Sequence, residues 1–131
     1  MMKLFRRLLS CQAGSTAVEF AIISLVLVLV TLGVIEFGRG LNIRNQLSQA
    51  ADYGARKILT DKQISDSALE TTVRSAFSAA AGGVLTVTIG AESVNGVQFR
   101  TITLNYPFTP LIPGLSSGQI NMSVARRTPV V

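Results

Sequence analysis

The sequence lacks several residue types on which catalytic and metal sites depend. Histidine and tryptophan are absent, and cysteine occurs once, at Cys11. Without histidine no Ser-His arrangement can form, and one cysteine permits neither an intrachain disulfide nor a Cys/His metal site. The carboxylates show no metal-ligand or glycosidase spacing, and no glycine-rich phosphate loop follows a strand. We therefore predict that the protein is not an enzyme and that it binds no cofactor, metal or small-molecule substrate.

An excess of positive charge is confined to the N-terminus. Lys3, Arg6 and Arg7 lie within the first 14 residues, which contain no acid. From Ser15 onward nine basic residues stand against seven acidic ones, so this short segment supplies +3 of the net charge of +5. The other basic residues are scattered, and they have no aromatic stacking platform beside them. We therefore expect no nucleic-acid partner.

Charge is also missing from one long apolar run, Phe20–Ile35, and no proline occurs from Ser15 to Tyr106. With its flanks, the span Ala17–Gly38 has 22 residues. As a helix it covers about 33 Å, enough for a bilayer core of about 30 Å. A cleavable secretory signal would be shorter and would end in a small-x-small site, which Glu36–Arg39 does not offer. The sequence therefore predicts one transmembrane helix and a lipid bilayer as its surroundings.

The basic residues on either side of this helix predict its orientation. Lys3, Arg6 and Arg7 precede it, whereas Arg39 and Arg44 follow it. The short acid-free N-terminal side favours a cytoplasmic N-terminus and an extracytoplasmic C-terminal domain.

The residues at the start of the apolar run read CQAGSTAVEF, from position 11 to position 20. A basic leader ends at Gly14, a small residue follows at Ser15, and Glu19 is the fifth residue after the glycine, with Phe20 next. This arrangement resembles the processing motif of type IV prepilins, and its Glu-Phe pair is similar to the tight-adherence (Tad) branch. The resemblance implies that a prepilin peptidase cuts between Gly14 and Ser15. The alternative reading of Leu8–Cys11 as a lipobox lacks the apolar stretch that a lipobox requires, so Cys11 is expected to be an unmodified thiol.

Glu19 and Phe20 are the residues to which the resemblance gives a role in assembly and register. In pilin-like assemblies the fifth residue can meet the free N-terminal amine of a neighbouring subunit. A carboxylate in a low-dielectric environment needs such a partner, because an unpaired charge there is strongly disfavoured. The alternative, with no role in assembly, is that Glu19 is an interfacial residue whose carboxylate reaches the lipid headgroups.

The resemblance continues beyond the membrane segment, in Ile35–Arg39, Asn45–Arg56, Asn105–Phe108 and Leu111–Leu115. Together these look like the TadE-like family of minor pilins and pseudopilins. That family implies a protein of the bacterial inner membrane that takes part in assembly of a Tad-type adhesion pilus. Its partners would be a prepilin peptidase, other Tad pilins or pseudopilins and the inner-membrane assembly platform. The alternative is an unprocessed, signal-anchored membrane protein with an extracytoplasmic protein-binding domain.

Helical periodicity continues after the membrane segment. One face of the predicted helix carries apolar or small residues at offsets that fit a 3.6-residue period, namely Ile43, Leu47, Ala50, Ala51, Gly54 and Ile58. We predict a first helix from about Thr16 to Leu59, membrane-embedded in its first half and amphipathic in its second. A break near Gly38 or Gly40 is the alternative.

A second helix and a hairpin are predicted next. Ser67–Glu70 fits a capping box, with Asp66 as a competing cap, and Gly82-Gly83 is expected to end the helix. Its predicted apolar stripe is Leu69, Val73, Ala76, Phe77 and Ala80. From Val84 the period changes to two, and Asn95-Gly96 is the usual type I′ hairpin pair. That turn predicts a register in which Ile89 opposes Ile102, Val87 opposes Leu104 and Leu85 opposes Tyr106.

The C-terminal part is predicted to be a loop followed by a third strand. Pro107–Gly118 is expected to be a loop that either covers the sheet edge or makes a subunit or membrane-surface contact. Ile120, Met122 and Val124 alternate as a strand, and Arg126-Arg127 is expected to be a solvated pair at its end. The predicted fold is α+β and pilin-like, with a small antiparallel sheet. The predicted organisation is a leader (1–14), a transmembrane helix (15–38) and a head domain (39–131).

Overall fold

A computed structural model of the chain describes residues 12–78, 83–112 and 118–130. Its elements, in chain order, are α1 (Gln12–Thr60), α2 (Asp66–Ala76), β1 (Thr86–Val94), β2 (Val97–Phe108) and β3 (Ile120–Val130). The α+β fold predicted from the sequence is therefore confirmed. Most of the predicted leader lies outside the described residues. The chain divides into two compact units, Met1–Ile35 and Glu36–Val131.

The described part of the first unit is the apolar half of α1. Every large apolar side chain from Val18 to Val30 is more than half exposed. Two hydroxyl groups in this half bond to carbonyls of the same helix, Ser24 Oγ to Ala21 O at 2.9 Å and Thr31 Oγ1 to Leu27 O at 2.8 Å. Such internal bonds satisfy polar groups that an apolar medium cannot. Among the described residues this is the one helix long and apolar enough to cross a membrane, which is compatible with a single-pass membrane protein.

In the second unit, α1 continues without a break through Gly38 and Gly40 to Thr60. All six residues of the predicted stripe (Ile43, Leu47, Ala50, Ala51, Gly54 and Ile58) are buried. Helix α1 runs antiparallel to β2, because Gly40 lies against the Phe108 ring and Gly54 lies against Ile102 Cδ1. The core of this unit forms between that stripe and one face of the sheet, and Leu69 and Val73 of α2 complete it.

The cap and the end of α2 differ from the sequence prediction. The N-cap is Ser65, whose Oγ accepts a hydrogen bond from Ala68 N at 3.3 Å. Glu70, predicted to close a capping box, instead pairs with Arg74 Nη2 at 2.7 Å. The helix ends at Ala76 because Phe77 turns to an extended conformation and its ring packs 5.2 Å from that of Tyr106. The predicted stripe residue Ala80 and the predicted stop at Gly82 lie outside the described residues.

The hairpin register predicted from the Asn95-Gly96 turn is confirmed. Both turn residues have positive φ, 51° and 81°, as a type I′ turn requires. The ladder of β1 and β2 pairs Val94 with Val97, Ile89 with Ile102, and Val87 with Leu104. It begins at Thr86, so the predicted Leu85–Tyr106 opposition lies just beyond its end. Leu85 and Tyr106 are nevertheless both buried in the same core.

Strands β2 and β3 are longer than the sequence predicted. Strand β2 continues through Pro107 to Phe108, which pairs with Ile120 of β3. The proline is tolerated because β1 pairs with β2 only as far as Asn105, so Pro107 lies beyond that ladder. Residues 113–117 of the predicted loop lie outside the described residues. The sheet order is β1-β2-β3, antiparallel throughout.

The predicted position of Arg126 and Arg127 at a strand end is wrong, although both side chains are partly exposed to solvent, as predicted. Both lie within β3, which continues to Val130. Arg126 Nε lies 2.5 Å from Asp52 Oδ1 of α1. Arg127 pairs with Glu92 of β1 at 3.2 Å, and its guanidinium carbon lies 4.1 Å from the centre of the Phe99 ring. These arginines therefore connect β3 to other elements.

We predict that Gly54→Leu destabilises the second unit, whereas Gly38→Leu does not. A Cβ at Gly54 would lie 2.6 Å from Val73 Cγ2 and 2.8 Å from Ile102 Cδ1, but one at Gly38 meets nothing within 4 Å. Both variants gain the same helix propensity, so their difference measures overpacking, expected at about 1–3 kcal/mol. Urea unfolding in detergent measures it, followed by the fluorescence of the two tyrosines, of which Tyr106 is buried. Equal stability of the two variants would contradict this packing.

Candidate functional site

The four residues that the sequence singles out lie on the first turns of α1. Gly14, Ser15, Glu19 and Phe20 are all exposed, Phe20 to 71%. Ser15 Oγ lies 3.5 Å from Glu19 Oε1, as expected for residues one helical turn apart. In the part of the chain that the structure describes, the Glu19 carboxylate has no ion-pair partner. It therefore retains its capacity to accept a charged donor from outside the chain.

The surface that follows Glu19 is apolar on every side of the helix. Between Phe20 and Ile35 the residues exposed to at least 53% include members of each helical face, such as Ile22, Leu25, Val28 and Phe20. A helix that packs on its own domain buries one stripe and exposes the opposite face. This half of α1 instead offers dispersion contacts in all directions and no polar group that would fix a register.

A buried glutamate stands directly after this apolar surface. Glu36 is 4% exposed, and its Oε1 accepts hydrogen bonds from Arg39 Nη1 at 2.6 Å and from Leu111 N at 3.1 Å. The Arg39 guanidinium carbon lies 5.4 Å from the centre of the Phe108 ring. The carboxylate therefore has a charged partner and a backbone donor, which offset the cost of burying it.

Sequence reasoning missed this role of Glu36 and treated the residue only as the end of the apolar run. A usable signal was present in the helical period. Glu36 precedes Ile43 by seven residues and Leu47 by eleven, so it falls on the buried face of α1. Extending the stripe upstream would have placed a carboxylate in the core and required a partner for it. Arg39 at i+3 was the nearest candidate.

Other charges in the second unit connect its elements. Arg100 of β2 donates a hydrogen bond to Ile64 O at 2.9 Å and pairs with Asp66 of α2. Arg74 of α2 donates to Leu85 O at 2.6 Å, next to the start of β1. These contacts have a structural role. Among the described residues, no three His, Cys, Asp or Glu side chains come together as metal ligands.

Comparison with known proteins finds a similarity in the N-terminal part of the chain. Residues 14–56, about a third of the 131 residues, match the family model of TadE-like proteins. No curated protein and no solved structure matches the chain. The resemblance noted in the sequence is thereby confirmed over this segment, which includes Gly14, Ser15, Glu19, Phe20 and Glu36. The matched segment contains the apolar half of α1 and the first part of its amphipathic half.

We predict that Glu36→Ala destabilises the second unit more than Glu70→Ala does. Both glutamates lie on helices and pair with an arginine, but the Glu36 side chain is 5% exposed and that of Glu70 is 41% exposed. Removing Glu36 leaves Leu111 N and a partly buried Arg39 without their acceptor, which costs about 1–3 kcal/mol. An exposed i,i+4 pair contributes about 0.2–0.5 kcal/mol.

Two measurements on detergent-solubilised protein check this difference. Urea unfolding gives the free energies, and amide hydrogen exchange at Leu111 should become faster in Glu36→Ala alone. Unchanged exchange at Leu111 would mean that the Glu36 carboxylate does not hold this backbone segment.

Proposed function

We propose that this chain, with its TadE-like segment 14–56, is a membrane-anchored minor pilin or pseudopilin that takes part in assembly of a Tad-type adhesion pilus. The observation that supports this most is the uniformly exposed apolar half of α1. It begins at Glu19, which has no ion-pair partner among the described residues, and the same helix continues into a folded head. A tether needs only the apolar length. An assembly element also needs a group that sets the register between neighbouring helices, and Glu19 is suited to that role.

The first step in this proposal is removal of the leader between Gly14 and Ser15 by a prepilin peptidase. The bond to be cut lies within the described part of α1. Gly14 weakens the helix at this bond by about 1 kcal/mol relative to alanine, because glycine loses more backbone entropy on ordering. This would let the peptidase extend the backbone at low cost and release a new N-terminal amine at Ser15.

The second step is lateral association of the apolar helices with Glu19 as the register residue. The side chains after Phe20 offer dispersion contacts that change little when one helix slides along another. A carboxylate in this environment gains most when it meets a cation, and the free amine of a processed neighbour is such a cation. Glu19 would thus select one stagger among many of similar packing energy.

The proposed location is the bacterial inner membrane, with a cytoplasmic N-terminus and an extracytoplasmic head. The basic, acid-free residues before α1 support this orientation. The partners would be the prepilin peptidase, other Tad pilins or pseudopilins, the inner-membrane assembly platform and the lipid bilayer. An unprocessed, signal-anchored protein with an extracytoplasmic protein-binding domain is the second candidate, and the fate of the leader separates the two.

We predict that the mature chain begins at Ser15 in a host with an active prepilin peptidase. Mass spectrometry of the membrane-extracted protein should show loss of residues 1–14, including Cys11. Gly14→Val should leave the chain uncut, because the added branch disfavours the close backbone approach of the peptidase. The control Gly33→Val places the same substitution within α1 and should be processed normally. A chain that still begins at Met1 would reject the pilin proposal and leave the signal-anchored candidate.

We also predict that Glu19→Ala leaves membrane insertion intact but impairs pilus assembly. Alanine removes the charge that sets the register, whereas the apolar run that drives insertion is unchanged. Thr31→Ala is the control, since it also replaces a polar residue of α1 and removes only a bond to Leu27 O. Carbonate extraction measures insertion, and electron microscopy of surface pili measures assembly. Normal piliation in Glu19→Ala would assign Glu19 an interfacial role only.

A further inference from the structure

Large apolar side chains are exposed at one end of the second unit. Leu111 is 73% exposed, Phe37 is 70% exposed and Ile120 is 46% exposed. Leu111 lies on the segment that connects β2 to β3, Ile120 is the first residue of β3, and Phe37 lies on α1. The core residue Phe108 is close to this group but is itself buried. The three exposed residues are therefore not part of the core described above.

Contacts place these residues at the first turn of α1 within the second unit. The backbone N–H of Leu111 donates to the Glu36 carboxylate at 3.1 Å. Ile120 pairs with Phe108, whose ring lies near Arg39 and against Gly40. Glu36 directly follows Ile35, the last residue of the uncharged run, and a helix rises about 1.5 Å per residue. The patch of Leu111, Phe37 and Ile120 therefore lies beside the turn of α1 at which its buried stripe begins.

Two arginines accompany this patch. The Arg39 side chain is 30% exposed although it pairs with Glu36, and Arg44, exposed on the next turns of α1, has no ion-pair partner among the described residues. Exposed apolar groups with arginines beside them are typical of surfaces that lie at the boundary between lipid headgroups and acyl chains. Anionic headgroups attract such basic residues close to the membrane.

We propose that Leu111, with Phe37 and Ile120, is a second membrane contact, which inserts into the bilayer surface beside the helix. This proposal rests on the proposed function in one respect, namely that the apolar half of α1 spans the membrane. Lipid is the occupant because Phe37 follows the uncharged run by two residues, and the hydrogen bond from Leu111 N to Glu36 brings Leu111 to the same turn of α1. Within the second unit, the Glu36–Leu111 hydrogen bond holds Leu111 beside the first turn of α1 in that unit.

The absence of tryptophan from the chain permits a direct test of this contact. Leu111→Trp introduces a single tryptophan at an exposed position, so the fold should be unaffected. The full-length variant is reconstituted in vesicles of phosphatidylcholine and phosphatidylglycerol, with or without lipids brominated on their acyl chains. Leu27→Trp reports on the apolar half of α1. Leu59→Trp is the matched control, since Leu59 is 57% exposed and lies about 35 Å along α1 from Glu36.

We expect Leu111→Trp to emit at shorter wavelength than Leu59→Trp and to be quenched by brominated lipid, to an extent between those of Leu59→Trp and Leu27→Trp. Emission and quenching like those of Leu59→Trp would overturn the proposal. A shift to shorter wavelength without lipid quenching would also overturn it, because it would mean that another protein surface covers Leu111. If Leu27→Trp itself were unquenched, the membrane span would fail and the proposed function with it.

Discussion

One helix has to suit two different surroundings, and the rest of the structure follows from how α1 does this. From Phe20 to Ile35 its large side chains are apolar on every face, and the hydroxyls of Ser24 and Thr31 bond to its own carbonyls. After Glu36 one apolar stripe is buried, and α2 and the three-stranded sheet cover it. Continuous backbone hydrogen bonding through Gly38 and Gly40 lets the same element serve both purposes without an exposed break.

The buried stripe of α1 begins with a charged residue, Glu36, rather than with an apolar one. Glu36 is the first member of the buried stripe, and its carboxylate links Arg39 of the same helix to the backbone of Leu111 beyond β2. A paired charge requires defined geometry, whereas an apolar residue tolerates several. Together with Arg100, which links β2 to the α1–α2 connection and α2, Glu36 fixes both ends of the sheet relative to the helices.

The sequence predicted correctly those features for which several local signals agree. The Asn95-Gly96 turn and the alternating strands specify the same register, and the stripe of α1 follows from one period, so both were confirmed. Ser65, Asp66 and Ser67 are all good caps, so local chemistry could not select Ser65. Contacts distant in sequence decided the rest, such as the Phe77–Tyr106 packing that ends α2 and the ion pairs of the β3 arginines.

The central claim is that α1 is surrounded by lipid on all faces up to Ile35 and by its own domain on one face thereafter. Cysteine scanning from Val18 to Thr60 in a Cys11→Ser background, with a membrane-impermeant maleimide applied to intact membranes, tests it most directly. The account predicts protection of every position up to Ile35, followed by labelling that repeats with the helical period, absent at Leu47 and present at Gln49. Labelling with a helical period before Ile35 would contradict it, because that half would then pack on protein and face water.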